Sequence, residues 1–315
     1  MRKPFHLGII FISIVIIAYG FLAPSSYFLH IVIMMSIWAI VSSSLNLLLG
    51  YTGLLNLGHA GIVGIGAYTS AILTLKLGMS PWATLPIASI LAASMGFLIG
   101  ILSLRTKGIS FAIITMMFGI MLYIIFESWT DVTGGFLGLY GIPRPSFLTI
   151  NFKLAIVNYF FVMAIFLLII LFFYRLVNSR IGRIFISIRE DEDLATVLGV
   201  DIRKYKILSF VIACFIAGMA GWLYAHYVTY VSPSAFSFGF SFELLIYSLF
   251  GGVGTILGPI LGTFLLRGIY EYFIFLATYR IIISCLIVVF MMKYMPEGFY
   301  PAIKTKIKSI FRSHK

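Results

Sequence analysis

Charge is scarce in this chain. Only 10% of the 315 residues are charged, whereas 61% are hydrophobic, and the mean hydropathy is +1.09. Soluble globular domains carry about 25% charged residues, so this composition excludes that class. We therefore expect an integral membrane protein.

Cysteine, catalytic constellations and nucleotide-binding motifs are also lacking. The two cysteines, Cys214 and Cys285, fall within apolar runs, which indicates packing rather than a disulfide or metal site. The histidines lack metal-ligand spacing, and the glycine run at 251–255 lacks the Gly-Lys-Ser/Thr of a phosphate loop. We expect no enzyme activity, no cofactor and no metal in this chain. If it works with ATP, another subunit must bind the nucleotide.

Long apolar runs are what the chain has in abundance. Residues 154–174 contain no charge, and a helix of that length crosses a hydrocarbon core about 30 Å thick. Such runs predict an all-α polytopic fold of about ten transmembrane helices, forming one membrane domain over residues 1–315. The predicted spans are 7–23, 28–49, 59–75, 82–104, 109–126, 154–174, 207–227, 242–252, 259–275 and 281–292.

The distribution of basic residues predicts a topology. The first run has a poor cleavage site and is interpreted as a retained helix. With the N-terminus inside and ten crossings, 17 of the 22 Lys and Arg residues are cytoplasmic, and both termini face the cytoplasm. The exceptions are Lys76, Arg144, Lys153 and Arg280, which are external, and Arg267, which lies in a span. The net charge of +12 then fits anionic lipid headgroups, so no nucleic-acid partner is expected.

One segment, from Arg175 to Lys206, is densely charged and contains seven basic and five acidic residues. Its centre reads Arg189, Glu190, Asp191, Glu192, Asp193. Burying one acid at mid-bilayer costs about 2.5–3.5 kcal/mol, so this segment must lie in water. We predict a cytoplasmic loop over residues 176–206.

A short amphipathic helix is predicted within this loop. The acids at 190–193 suit a helix start, and Gly199 is a natural stop. Leu194, Val197 and Leu198 form an apolar face at helical spacing, and Asp201 suits the cap of the next helix. Positive-inside anchoring explains the flanking basic residues but not four adjacent acids. We therefore interpret the helix as a docking element for a cytoplasmic partner.

Two glycine-punctuated segments, residues 50–61 and 251–262, interrupt apolar runs about 200 residues apart. Paired interruptions of this kind indicate broken helices around a transport pathway. Close helix packing through small residues is the alternative. The polar residues Asn56 and His59 and the helix breaker Pro259 favour the pathway.

Ionisable residues inside predicted spans are functional candidates by default. Glu243 is expected either at the external membrane boundary or inside the bundle near the pathway. Arg267 and Glu271 lie four residues apart, and we expect an intrahelical ion pair between them. The pathway candidates are therefore Asn56, His59, Glu243, Gly252 and Gly254.

Several motifs together resemble the longer permease subunit of bacterial ATP-binding-cassette importers for branched-chain amino acids, and the resemblance runs nearly end to end. The matching stretches are 46–60, 64–68, 133–135, 138–139, 141–143, 182–183, 188–195, 198–201, 205–206, 217–218, 220–221, 224–226, 232–233, 238, 241–243, 251–255 and 258–259.

The resemblance implies a location in the bacterial inner membrane and several partners. These are a second homologous permease, two cytoplasmic ATPases, an extracytoplasmic solute-binding protein and an amino-acid substrate. It further implies that residues 189–199 form the coupling helix seated in an ATPase groove. Permeases for urea and short amides share much of the pattern and are the nearest alternative. A stand-alone carrier or channel is a competing hypothesis, and an intramembrane enzyme a distant third.

Overall fold

The computed structural model describes residues 19–20, 25–103, 106, 108–146, 154–272, 282, 286, 289, 293 and 298–302. Its first half contains four long helices. They are α1 (Ser26–Asn46), α2 (His59–Lys76), α3 (Pro81–Ser103) and α4 (Ile109–Ser128). A π-helical turn, Leu47–Tyr51, extends α1, and the chain leaves helical geometry before α2 begins.

The second half alternates long and short helices. In chain order they are α5 (Thr130–Thr133), α6 (Ala155–Val177), α7 (Arg180–Glu190), α8 (Glu192–Val197), α9 (Ile202–Val228), α10 (Phe238–Gly251) and α11 (Gly258–Tyr272). Two 3-10 turns, Gly135–Leu137 and Pro233–Phe236, lie between these helices. The helical fold predicted from the sequence is confirmed, and each predicted span from 28–49 to 259–275 coincides with a helix to within one residue at its ends, wherever its residues are described.

Helix α9 is the centre of the bundle and packs along α2, α3 and α1. Small residues allow this close approach: a Cβ at Gly66 of α2 would collide with the backbone of Gly218, and one at Gly218 would meet the Cβ of Ala92. Without a hydrophobic driving force in lipid, such small-residue contacts hold transmembrane helices together. Cys214 is buried here, as its apolar setting predicted.

Among the described residues, five helices have the length and composition to cross a membrane, namely Ser26–Tyr51 with its π turn, Pro81–Ser103, Ile109–Ser128, Ala155–Val177 and Ile202–Val228. Helix α1 is largely buried, whereas α3 and α4 expose side chains such as Leu98 and Met117. Exposed apolar side chains on spanning helices suit contact with lipid tails.

The fold contains a small element that an all-α prediction omits. Leu139–Tyr140 (β1) pairs antiparallel with Tyr230–Val231 (β2), in the register Leu139 to Val231. The ribbon ties the long connection after α4 to the end of α9. The same connection touches α2, since the Lys76 ammonium donates to the carbonyl of Asp131. Lys76, Asp131 and this ribbon therefore lie at one end of the bundle, opposite to α7 and α8.

Some predictions fall outside the described residues. They are the helix at 7–23 apart from Tyr19 and Gly20, most of the span at 281–292, Cys285, Lys153, Arg280 and the basic tail at 304–308.

Candidate functional site

Helices α7 and α8 form an arm between α6 and α9, and each turn of the arm has a local cause. The Ser179 hydroxyl accepts from the Gly182 amide at 3.3 Å and starts α7. The Asp191 carboxylate accepts from the Leu194 amide at 2.9 Å and starts α8. Asp201 accepts from the Lys204 amide at 3.1 Å and starts α9. All three are N-caps of the ordinary kind.

Helix α8 displays its apolar face. Leu194 is 58% exposed, Val197 83% and Leu198 73%, while Ala195 is buried against the bundle. Gly199 follows with φ +83°, the left-handed conformation that ends helices and favours glycine. Three adjacent apolar side chains on a charged arm form a surface suited to a protein partner.

Two of the acids lie differently from the sequence interpretation. Glu190 ends α7 instead of opening the short helix, and Glu192 forms an ion pair with the Lys206 ammonium of α9. Lys206 is largely buried, so the pair fastens α8 to the bundle. Asp193 lies exposed in the first turn of α8, where a negative charge suits the helix dipole.

Arg189 joins the arm to the first glycine segment. Its Nη1 donates to the carbonyl oxygen of Gly50 at 2.5 Å, and its side chain also lies beside Gly53 and Gly254. The residue before the four acids therefore contacts the membrane bundle as well as belonging to the arm.

The two glycine segments meet each other at this point through Asn46. Its Nδ2 donates to the carbonyl oxygen of Thr255 at 2.8 Å, and its Oδ1 accepts from the Gly254 amide at 3.0 Å. A Cβ at Gly50 would collide with the Gly254 backbone, so the approach requires glycine. We name Asn46, Gly50, Arg189, Gly254 and Thr255 the glycine junction.

Gly252 and Gly254 give the second segment its shape. Gly252 ends α10 with φ +115°, and Gly254 has φ +76°. Both conformations are strained for residues with a side chain. The break between α10 and α11 is thus built into the backbone.

Asn56 and His59 belong to a buried network at the first break. The His59 ring lies 2.8 Å from the Ser44 hydroxyl through Nε2 and 3.2 Å from the Asn56 amide through Nδ1. The Ser44 hydroxyl donates to the carbonyl of Val41 at 2.7 Å. The tautomer with its proton on Nε2 satisfies all three contacts. These polar groups therefore hold the start of α2 in place.

Glu243 lies inside the bundle, at 5% exposure. The Tyr247 hydroxyl donates to its Oε1. The residue lines a cavity of about 250 Å³ between α1, α9, α10 and α11. Glu243 was one of the pathway candidates, and it is the candidate that borders this cavity.

The expected ion pair between Arg267 and Glu271 does not form between these two described residues. The Glu271 carboxylate instead accepts from the Tyr27 hydroxyl at 2.9 Å. The Arg267 guanidinium lies 5.7 Å from the ring centroid of Trp38, and it lines the same cavity as Glu243. This cation–π contact with Trp38 takes the place of the expected ion pair.

Sequence reasoning missed Asn46 and Lys206 as site residues, and it assigned Arg189 to the docking element alone. Asn46 had a signal, because a polar amide at the end of a long apolar run needs a buried partner. Among the residues that the structure describes, no group of His, Cys, Asp or Glu could hold a metal ion.

A family model described as branched-chain amino acid transport system, permease component, matches residues 27–292. The chain belongs to this family. It is 32% identical over 295 residues to the high-affinity branched-chain amino acid transport system permease protein LivM of Escherichia coli K12, covering 86% of this chain and 69% of that protein. LivM of Salmonella typhimurium is 31% identical over 298 residues, covering 87% and 70%.

The permease also resembles LivH of E. coli K12, at 24% identity over 287 residues, covering 84% of this chain and 91% of LivH. No solved structure matches the chain significantly. The membrane-spanning helices agree with a permease of this family.

Proposed function

We propose that the chain is the LivM-like transmembrane subunit of an ATP-binding-cassette importer for leucine, isoleucine and valine. The family match over residues 27–292 is the observation that carries this proposal. Greater identity to LivM than to LivH supports the choice of subunit. In this assembly a second, LivH-like permease would complete the membrane unit.

The remaining partners would be two cytoplasmic ATPases and an extracytoplasmic solute-binding protein. The exposed face of Leu194, Val197 and Leu198 supports ATPase docking at α8. A face of this kind fits a groove on a soluble partner in the helix-in-groove mode. The bundle end with α7 and α8 would then face the cytoplasm of a bacterium, with both termini on that side, and the β1–β2 ribbon would face outward.

The contacts of the arm suggest how ATP-driven movement would reach the membrane. When the ATPases close, they would displace α8, which is fastened to α9 by the Lys206–Glu192 pair. Arg189 would carry the displacement to Gly50, and Asn46 would carry it to Gly254. Both breaks in the helical bundle would move together, opening the pathway alternately to each side.

Reconstitution tests the proposal. The chain, a LivH-like permease, the two ATPases and the binding protein are placed in proteoliposomes, and uptake of labelled leucine, isoleucine, valine and urea is measured with and without ATP. We expect uptake of the three amino acids that requires both ATP and the binding protein. Uptake of urea alone would transfer the proposal to the short-amide permeases. ATP-independent uptake by this chain alone would contradict an importer subunit.

A further inference from the structure

The cavity beside Glu243 brings opposite charges and apolar surface together. Glu243 and Arg267 supply a carboxylate and a guanidinium, from α10 and α11. Met34, Trp38, Tyr224 and Phe240 supply most of its apolar wall. A binding site for a small molecule needs apolar surface together with a few charged groups that fix orientation, and this cavity offers both.

The carboxylate is held in place at the cavity wall. Glu243 is 5% exposed, and the Tyr247 hydroxyl, one helical turn along α10, donates to its Oε1. Arg267 is likewise positioned, since its guanidinium lies over the Trp38 ring at 5.7 Å. Charged residues within membrane spans are costly, and they mark substrate pathways or internal pairs.

The size of the cavity limits what it can hold. Its volume of about 250 Å³ leaves room for a small solute such as an amino acid. A peptide or a folded segment is far larger, so a single small solute suits this space.

We propose that this cavity is a transient binding site for the zwitterionic amino acid on its way through the permease. Glu243 binds the ammonium group, Arg267 binds the carboxylate, and the aliphatic side chain lies against Met34, Trp38 and Phe240. The inference rests on the proposed function, because it takes the substrate class from there, and it adds the location and the two charged contacts.

The site lies where an entering solute would arrive. Ser234 and Ser237, in the segment between α9 and α10, and Gly239, in the first turn of α10, line the cavity and are at least partly exposed. That segment begins at the β1–β2 ribbon, at the end of the bundle opposite to α7 and α8. From Glu243, α10 continues to Gly251 and hence to the glycine junction.

The alternative hypothesis is an internal charge pair, in which Glu243 and Arg267 only neutralise each other across the cavity. The two hypotheses predict different uptake rates for a variant in which both residues are neutral. If the charges only neutralise each other, Glu243→Gln with Arg267→Gln leaves no isolated charge and restores what either single change loses. If each charge binds one end of the substrate, the double variant is at least as impaired as either single variant.

The test uses the complete complex in proteoliposomes at saturating binding protein and leucine. We expect Glu243→Gln and Arg267→Gln each to lower the maximal uptake rate by at least about tenfold. We expect the double variant to stay at or below the single variants, while binding-protein-stimulated ATP hydrolysis stays within about twofold of wild type. Glu271→Gln is the matched control, since it removes a carboxylate from α11 that does not line the cavity, and its uptake should be unchanged.

Recovery of uptake in the double variant would overturn the inference, as would unchanged uptake in both single variants. If the charge variants do not assemble, Met34→Trp tests the same site by filling it without changing charge. Loss of leucine uptake in that variant supports the site, and wild-type uptake contradicts it.

A photoreactive diazirine analogue of leucine gives an independent readout in the wild-type complex. We expect cross-links in residues 34–38 or 234–243 that excess leucine suppresses. Cross-links confined to other helices in a complex that transports leucine would refute the site and leave the proposed function intact. A wild-type complex that transports no branched-chain amino acid would instead refute the proposed function.

Discussion

The Nη1 of Arg189 donates to the carbonyl oxygen of Gly50 at 2.5 Å, across 139 residues of chain. Arg189 lies near the end of α7, one residue before the acidic run, and Gly50 lies in the π turn that ends α1. A hydrogen bond with an ionised donor is roughly twice as strong as a neutral one. This bond therefore connects the arm formed by α7 and α8 directly to the bundle.

Replacing Arg189 with Gln should uncouple transport from ATP hydrolysis. The shorter, neutral side chain cannot reach Gly50 in the same way, so displacement of α8 would no longer reach the glycine junction. We expect leucine uptake to fall by about tenfold while binding-protein-stimulated ATP hydrolysis persists. The measurement is the ratio of leucine transported to ATP hydrolysed in proteoliposomes.

Arg183→Gln is the matched control for Arg189. Arg183 lies on the same helix and is exposed, and its Nη1 donates a long 3.5 Å hydrogen bond to the carbonyl of Asn178. Its replacement should leave the transport ratio unchanged. Equal uncoupling by both variants would mean that the charge of the arm matters and the bond to Gly50 does not.

Local features of the arm could be predicted from sequence, because short-range capping determines them. Gly199 and Asp201 adopt the predicted roles at helix ends, and Leu194 lies on the predicted exposed face. Contacts between distant segments could not be predicted in this way. The Arg267–Glu271 prediction was wrong because Tyr27 and Trp38, from α1, offer competing partners that helical spacing alone does not reveal. The link between Asn46 and Gly254 depends likewise on how α1 meets α10.

The glycine junction should not tolerate a side chain at Gly254. A Cβ there would meet both the Arg189 guanidinium and the Gly50 carbonyl, in addition to the strain of φ +76°. Overpacking of this kind costs about 1–3 kcal/mol. We expect Gly254→Ala to lower the thermal unfolding midpoint in detergent and to reduce uptake.

Gly78→Ala separates the two causes of that loss. Gly78 has a similar backbone, with φ +63°, and a Cβ there would meet nothing within 4 Å. It should lose only about 1 kcal/mol from backbone strain. Equal destabilisation in the two variants would contradict close packing at the junction.

Asn46→Leu should separate the two glycine segments. The change leaves the Gly254 amide and the Thr255 carbonyl without the side-chain partner that each now has in Asn46. Losing the partner of a buried polar group costs about 1–3 kcal/mol. We expect reduced thermal stability, together with faster hydrogen exchange at the Gly254 amide.

Asn178→Leu is the control, at an exposed position where Nδ2 bonds only the carbonyl of Tyr174. It should change neither the thermal stability nor the exchange at the Gly254 amide. Unaltered hydrogen exchange at the Gly254 amide in Asn46→Leu would refute this role of Asn46 in the glycine junction.

The exposed face of α8 should determine whether the ATPases bind. Val197 is 83% exposed, so Val197→Asp should change the stability of the isolated permease by less than about 0.5 kcal/mol. Burying a valine side chain in an interface is worth about 1.5–3 kcal/mol, and an unpaired carboxylate there costs more. We therefore expect at least a tenfold loss in ATPase co-purification and a matching loss of uptake.

Thr196→Asp introduces the same charge on the opposite side of this helix and should retain the ATPases. Because both variants keep the four native acids, a loss in Val197→Asp alone would assign docking to the apolar face. Equal binding of ATPase by Val197→Asp and wild type would show that α8 is not part of the interface.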